Sequence, residues 1–183
     1  KGAMAALLGL DTETARTVAE KAAEDQVCDL ANDNSEGQIV VSGDKAAVER
    51  AVEIAKEEGA KRAVLLPVSA PFHCSLMAPA AEVMRQALGG VEVKSPSVPL
   101  VANVTASSIN DPQTIREKLV EQVTGMVRWS ESVLYMGREG VGELYELGAG
   151  KVLTGLTRRI NRDMTSISIG TPEDLDTAAG QLS

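Results

Sequence analysis

The sequence predicts an α/β protein in two parts: a small ferredoxin-like unit over residues 1–68, then a stretch over residues 69–183 belonging to a larger, mostly parallel sheet. Three observations predict it. The first part reads β-α-β-β-α-β, the order of the split βαβ unit. Beyond Pro67, helical patterns alternate with short, strongly apolar strand patterns, as in a sheet covered by helices. The composition, 44% hydrophobic over 183 residues, suits one globular domain or two small ones.

Each element has a local reason. Residues 3–10 form an apolar run that ends in Gly9-Leu10-Asp11, and Asp11 caps a helix reaching about Ala23. Residues 27–32 and 38–42 are β-type runs. Between them Asp33-Asn34-Ser35-Glu36-Gly37 favours a turn, so a hairpin is expected. Asp44 caps a second helix with Val48, Ala51, Val52 and Ala55 on one face, and Gly59 stands where a C′ residue belongs. Residues 63–68 give the fourth strand. Further helices are expected over 76–88, 112–123 with Pro112 at N1, 129–139, 151–161 and 172–181, and strands over 99–104, 143–147 and 165–169. Three strands cannot bury one face of each of these helices, so the rest of that sheet is expected outside this sequence. The opening Lys1-Gly2-Ala3-Met4 shows neither an initial Met nor a signal-peptide pattern, and the chain is read as entering partway through a longer protein.

Charge excludes some functions. A net charge of −8 disfavours a nucleic-acid surface, and Phe72, Trp129, Tyr135 and Tyr145 leave little with which to stack bases. No apolar run approaches the ~20 residues of a membrane span. Cys28 and Cys74 stand far apart, and with His73 as the sole histidine they complete no zinc set. A reducing, cytoplasmic setting without a metal is therefore expected.

The segment Leu66-Pro67-Val68-Ser69-Ala70-Pro71-Phe72-His73-Cys74-Ser75-Leu76-Met77 is the densest candidate for chemistry, because its histidine follows a strand and a proline-bent loop and precedes a helix. A neutral imidazole there is either the general base for a hydroxyl or thiol, or a histidine that satisfies a turn. Adjacent residues at a helix start point apart, so Cys74 is not read as the nucleophile, and Cys28 is read as a small buried apolar residue. Gly148-Ala149-Gly150-Lys151 lies between a strand and a helix, yet Tyr145, Val152 and Leu153 break both the P-loop and the dinucleotide patterns. A tight turn is expected, with free N–H groups still open to an anion. Asn32-Asp33-Asn34 holds too few carboxylates for Ca²⁺ or Mg²⁺ and reads as turn chemistry. Glu53, Glu57 and Glu58 form a solvated helix face. Arg158, Arg159 and Arg162 form a basic cluster on the helix that starts at Lys151.

Four separated motifs then match one family in register. They are Gly2-x-Met4-Ala5-Ala6-Leu7-Leu8-Gly9-Leu10, Asn32-x-Asn34-Ser35-x-Gly37-Gln38-x-Val40-x-Ser42-Gly43, Val68-Ser69-Ala70-Pro71-Phe72-His73, and Glu146-Leu147-Gly148-x-Gly150-Lys151-Val152-Leu153-Thr154-Gly155-Leu156. The sequence resembles the malonyl-CoA:acyl-carrier-protein transacylases of bacterial type II fatty-acid synthesis, in order from Lys1 to about Ile169. The resemblance implies a ferredoxin-like small subdomain plus the C-terminal part of an α/β-hydrolase-like large subdomain. The family's serine elbow, G-x-S-x-G, occurs nowhere in these 183 residues. It is expected upstream, with the carboxylate-binding arginine and the oxyanion-hole groups.

By resemblance, His73 is the general base, and the main-chain carbonyl of Gln122 orients its ring. Phe72, Asn34 and Asn103 are substrate-side positions, Phe72 being the aromatic that accompanies malonyl rather than methyl-branched substrates. The implied activity is malonyl transfer from malonyl-CoA to the phosphopantetheine thiol of acyl carrier protein through an acyl-serine. No cofactor is implied beyond the coenzyme A thioester, and the intact protein is expected to be a monomer. Lys151, Arg158, Arg159 and Arg162 are the expected contact for an acidic carrier protein. The alternative is a non-catalytic ferredoxin-like module that binds a ligand or partner, with His73 structural.

Overall fold

Alternation along β1 (Gly2–Leu8) organises the first sheet: Ala3, Ala5 and Leu7 join one apolar cluster, while Met4 and Ala6 join another on the opposite face. A computed structural model describes residues 2–182; Lys1 and Ser183 lie outside the described residues. The chain divides into two units, residues 1–132 and 133–183, each taken by itself.

In the first unit, β1 pairs antiparallel with β3 (Gln38–Asp44), Ala5 opposite Val41, and with β4 (Arg62–Leu65), Ala5 opposite Leu65. β3 pairs antiparallel with β2 (Cys28–Ser35). The sheet order is β4-β1-β3-β2, extended by β7 (Val127–Arg128), which runs parallel to β2 with Val127 opposite Asn32. Helices α1 (Thr12–Ala23) and α2 (Lys45–Glu57) cover one face, burying Ala15, Val18, Val48 and Ala51 against Leu7, Ile39 and Val41. Each Val, Leu or Ile side chain among these contributes roughly 1.5–3 kcal/mol when fully buried. Asp11 caps α1 through Thr14 N at 2.7 Å. At its far end Arg50 donates to the carbonyls of Ala22 (2.9 Å) and Ala23 (3.3 Å), placing a cation where unpaired C=O groups need one.

Several expectations shift here. The segment Asp33-Asn34-Ser35 is strand, not turn: β2 runs on to Ser35 through two register irregularities, and the reversal is confined to Glu36-Gly37. Gly37 takes the left-handed backbone that this tight reversal needs (φ 69°). Asp44 occupies the N-cap position of α2, but its carboxylate instead accepts from Val27 N at 3.0 Å, fastening the start of β2. The fourth strand stops at Leu65, because Pro67 cannot continue the ladder.

Beyond β4 the chain passes over the sheet face opposite the helices. Leu66 N donates to Met4 O at 2.8 Å, and a Cβ on Gly2 would collide with the Pro71 ring. A single 3-10 turn over Ser75–Met77 packs against β3 and leads into α3 (Ala78–Gly89), so the helix expected from Leu76 starts later. The strand expected over 99–104 is shorter, β5 (Leu100–Ala102), and folds back antiparallel onto β6 (Ser107–Ile109). The reversal was hidden because it contains no Gly or Pro; Ala106 takes the positive φ of 51° itself. This hairpin departs from the parallel sheet anticipated beyond Pro67. α4 (Pro112–Glu121) starts on Asp111, whose carboxylate accepts from Thr114 N at 2.7 Å.

α5 (Trp129–Arg138) leads into the second unit, where β8 (Glu143–Leu147) and β9 (Thr165–Ile169) pair parallel with Tyr145 opposite Ile167. α6 (Val152–Ile160) crosses between them and buries Leu156 and Thr157, and α7 (Pro172–Leu182) follows β9. Among the described residues no helix is long and apolar enough to cross a membrane.

A Cβ at Gly43 would run into the Val27 carbonyl and lie 2.9 Å from Cys28 Cα, both backbone. Gly43→Ala is therefore expected to cost about 2 kcal/mol or more, read as a lowered urea midpoint. Gly89→Ala, with open space around it, is expected to leave the midpoint unchanged or raise it.

Candidate active site

The loop after β4 presents His73 with a backbone φ of 58°, a left-handed conformation uncommon outside glycine. Its Nδ1 lies 3.0 Å from the main-chain O of Gln122, and Gln122 is the residue at which α4 ends. The last carbonyls of a helix lack intrahelical partners, so this oxygen is available to an outside donor. A carbonyl only accepts, so the proton of the neutral ring sits on Nδ1 and Nε2 keeps a lone pair. Nε2 makes no hydrogen bond among the described residues. The Gln122 side chain serves locally: its Nε2 donates to Gly125 O at 2.9 Å and passes 3.4 Å from His73 Nδ1. Two donors cannot bond each other, which leaves the carbonyl as the ring's partner.

The other predicted residues take separate places. Phe72, beside His73, is 41% exposed and so is not packed beneath the loop. Asn103 accepts from Arg128 N at 3.0 Å and lines a cavity of about 230 Å³ together with Gln122, Lys118, Leu100 and Leu119. The structure thus brings His73, Gln122 and Asn103 into one neighbourhood. Asn34 is half-buried on β2 at the irregularity beside Asp33, and no hydrogen bond joins it to the His73 loop among the described residues. In the second unit Lys151, Arg158 and Arg162 are exposed around two adjoining cavities that share the buried Ser166 in their lining, and Arg159 is exposed on α6.

Sequence reasoning missed three residues. Asp29 accepts from both Ser75 N (2.9 Å) and Ser75 Oγ (3.0 Å), tying the segment after His73 to β2. Arg128 makes a two-pronged pair with Glu131 (2.8 and 2.5 Å) and donates to Thr105 O at 3.2 Å, fixing the β5–β6 reversal. Glu146 accepts from Leu153 N (3.0 Å) and Thr154 N (2.8 Å). The helix start left open to an external anion is therefore already served by the chain's own carboxylate. A glutamate in the Glu146-Leu147-Gly148 stretch, seven residues ahead of a helix turn, was the available signal for it. Isolated Asp29 and Arg128 gave none.

No family model matches the chain. The malonyl CoA-acyl carrier protein transacylase of Bacillus subtilis (strain 168) is 45% identical over 183 residues, which are 100% of this chain and 58% of that protein. The crystal structure of acyl-carrier-protein-S-malonyltransferase from Bartonella henselae matches with a TM-score of 0.95 and 52% identity, covering 100% of this chain and 58% of that one. Over its whole length the chain is similar to malonyl CoA-acyl carrier protein transacylases. It spans about 58% of the length of these relatives. A third match, a type II PKS acyl-carrier protein in complex with its malonyl-transacylase, has a TM-score of 0.94 and 42% identity over 98% of this chain and 58% of that chain.

Both thiols of the chain are sequestered. Burial, helped by the charge of Asp29, pushes Cys28 up to about 12, and burial likewise raises Cys74, whose Sγ donates to Pro71 O at 3.1 Å. Neither cysteine is expected to react with a thiol-specific disulfide reagent at pH 8 in the native chain, and both should react after unfolding in guanidinium. Among the described residues no cluster of metal-ligating side chains occurs.

Asp33, 9% exposed, accepts from Thr12 Oγ1 at 3.3 Å, and burial holds its pKa above the ordinary 3.8. The folded chain then keeps this proton more tightly than the unfolded chain does. Stability from this site is complete below pH 3.8 and is lost as pH rises through the raised folded value. Asp33→Asn, which keeps an acceptor oxygen without the charge, is expected to melt higher than the parent at pH 7. The difference should close near pH 3, as followed by thermal denaturation.

Proposed function

We propose that this chain supplies the proton-transfer half of a malonyl transfer, from malonyl-CoA to the phosphopantetheine thiol of acyl carrier protein, through a malonyl-serine ester. The single observation that carries this reading is the His73 Nδ1 contact to Gln122 O, which leaves Nε2 as the acceptor. The serine is assigned to sequence beyond these residues, because no G-x-S-x-G occurs among them. Similarity along the whole chain to malonyl transacylases, one of them solved with an acyl-carrier protein, supports the same reading.

The chemistry runs in two halves. Nε2 takes the proton as the serine oxygen bonds to the thioester carbonyl carbon. When the C–S bond breaks, that proton passes to the departing coenzyme A thiolate. In the second half Nε2 takes the proton of the carrier's thiol, whose sulfur bonds to the malonyl carbonyl. The C–O bond to serine then breaks, and the proton returns to the serine oxygen. The Gln122 carbonyl holds the ring in one tautomer and supports the imidazolium formed in each half. No cofactor takes part beyond the pantetheine arms of the substrates.

The reading extends to architecture and partners. Residues 1–68 are the ferredoxin-like subdomain, supported by the β4-β1-β3-β2 order, and residues 69–183 belong to the α/β-hydrolase-like acyltransferase subdomain. Exposed apolar side chains such as Leu147 (74%), Val152 (69%) and Val83 (67%) support further protein covering that second part. Phe72 crowds the position of an α-methyl group, a discrimination of ~1–3 kcal/mol, while Asn34 and Asn103 border the substrate. Lys151, Arg158, Arg159 and Arg162 meet the acidic carrier. The protein works as a monomer in the cytoplasm. A non-catalytic module is disfavoured by the likeness to transacylases over all 183 residues.

In a protein joining this chain to a G-x-S-x-G segment, His73→Ala is expected to slow acyl-serine formation from malonyl-CoA by ~10²–10⁴-fold, read by mass spectrometry of the quenched enzyme. Loss of less than tenfold would end the general-base assignment. Gln122→Ala, which keeps the carbonyl, should cost far less. The 183 residues alone are expected to show no transfer.

A further inference from the structure

We propose that Asp29 is a positioning residue for His73, acting through Ser75. This rests on the general-base reading of His73 and concerns what holds that ring in place. A left-handed backbone at a residue with a side chain is strained, and such a conformation persists only where its surroundings over-determine it. Two of the restraints on His73 are already described. The Gln122 carbonyl holds the ring, and the Cys74 Sγ–H donates to Pro71 O at 3.1 Å, closing the bend on itself.

Neither of these fixes the bend to the sheet on the C-terminal side of His73. Asp29 does. Its Oδ2 accepts from the Ser75 amide at 2.9 Å and from the Ser75 hydroxyl at 3.0 Å, from a strand 46 residues earlier. Cys74 stands at the N-cap of the Ser75–Met77 turn and offers no side-chain cap. The capping group therefore arrives from β2, two residues past the imidazole, as a charge-assisted pair of bonds. The platform is firm, since Asp29 lies opposite Ser42 in the β2–β3 ladder and Ser42 is fully buried. The His73 backbone is then clamped between β2 on one side and the ring's own bond to Gln122 on the other.

His73 is the only histidine in the chain, so imidazole nitrogen and proton signals in NMR spectra of the full 183 residues have one origin. The parent is expected to show the neutral ring protonated on Nδ1. Asp29→Ala should lose that signal and give the averaged signal of a ring sampling both tautomers. Asp29→Asn, whose amide oxygen still accepts from Ser75 N, should recover it. A purely structural Asp29 would lower the melting temperature of the alanine variant but leave the tautomer of the folded chain unchanged, and that result would overturn the proposal. Should Asp29→Ala not fold, Ser75→Pro, at the first position of the turn after the extended Cys74 (ψ 169°), removes both the amide and the hydroxyl donor and gives the same two outcomes. A parent ring protonated on Nε2 would instead overturn the general-base reading itself, and the positioning role with it.

Discussion

One contact holds the first unit's chemistry together: an imidazole N–H donated to the end of a helix 49 residues further along the chain. For that contact to exist, the loop after β4 and the C-terminus of α4 must arrive at the same place. Both are referred to a single strand. β2 grips the segment after His73 through Asp29, and further along it pairs Asn32 and Asp33 with Val127 and Arg128, which follow Gln122 by a few residues. Arg128 in turn holds Thr105 O and Glu131, so the hairpin beside the cavity is drawn into the same frame. The geometry is thus set by the most heavily buried part of the molecule, the β1–β3–β2 ladder under α1 and α2, where side-chain placement is least free to drift.

The sequence made the first half of this legible and the second half only in outline. Periodicity located α1, α2 and the β1 and β3 cores because those elements are amphipathic and bury one face completely, as Val18, Val48 and Ile39 do. It failed where structure is set by pairing at a distance. β7 is two residues long and exists only because β2 offers a free edge, and the β5–β6 reversal contains no Gly or Pro to announce it. Asp33 looked like turn chemistry because Asn and Asp favour turns locally, yet the ladder with β3 outweighed that preference and buried its carboxylate.

The site followed the same division. His73 stood out as the sole histidine on a proline-bent loop, and its partner Gln122 came from family resemblance, since nothing local marks a residue whose main chain is what matters. Asp29 was invisible because its role depends on a 46-residue loop closure, which no window of sequence contains. In the second unit, Tyr145, Val152 and Leu153 keep the Gly-rich turn before α6 apart from the nucleotide-binding patterns. What periodicity could not show is that Glu146 neutralises the helix start, leaving Lys151 and Arg158 as the open positive charge around the adjoining cavity.

That the acceptor for the imidazole is a peptide oxygen changes how mutation bears on it. Every amino acid carries that atom, so no codon replacement at position 122 removes it, and side-chain identity there is free of the orienting duty that a triad aspartate bears toward its histidine. The burden passes to whatever keeps the peptide plane aimed: the stop of α4, where Gly125 N returns to Glu121 O at 2.8 Å, the local bond from the Gln122 side chain to Gly125 O, and the short edge pairing at Val127. An insertion or deletion between 118 and 128 would displace that oxygen whatever residue stands at 122.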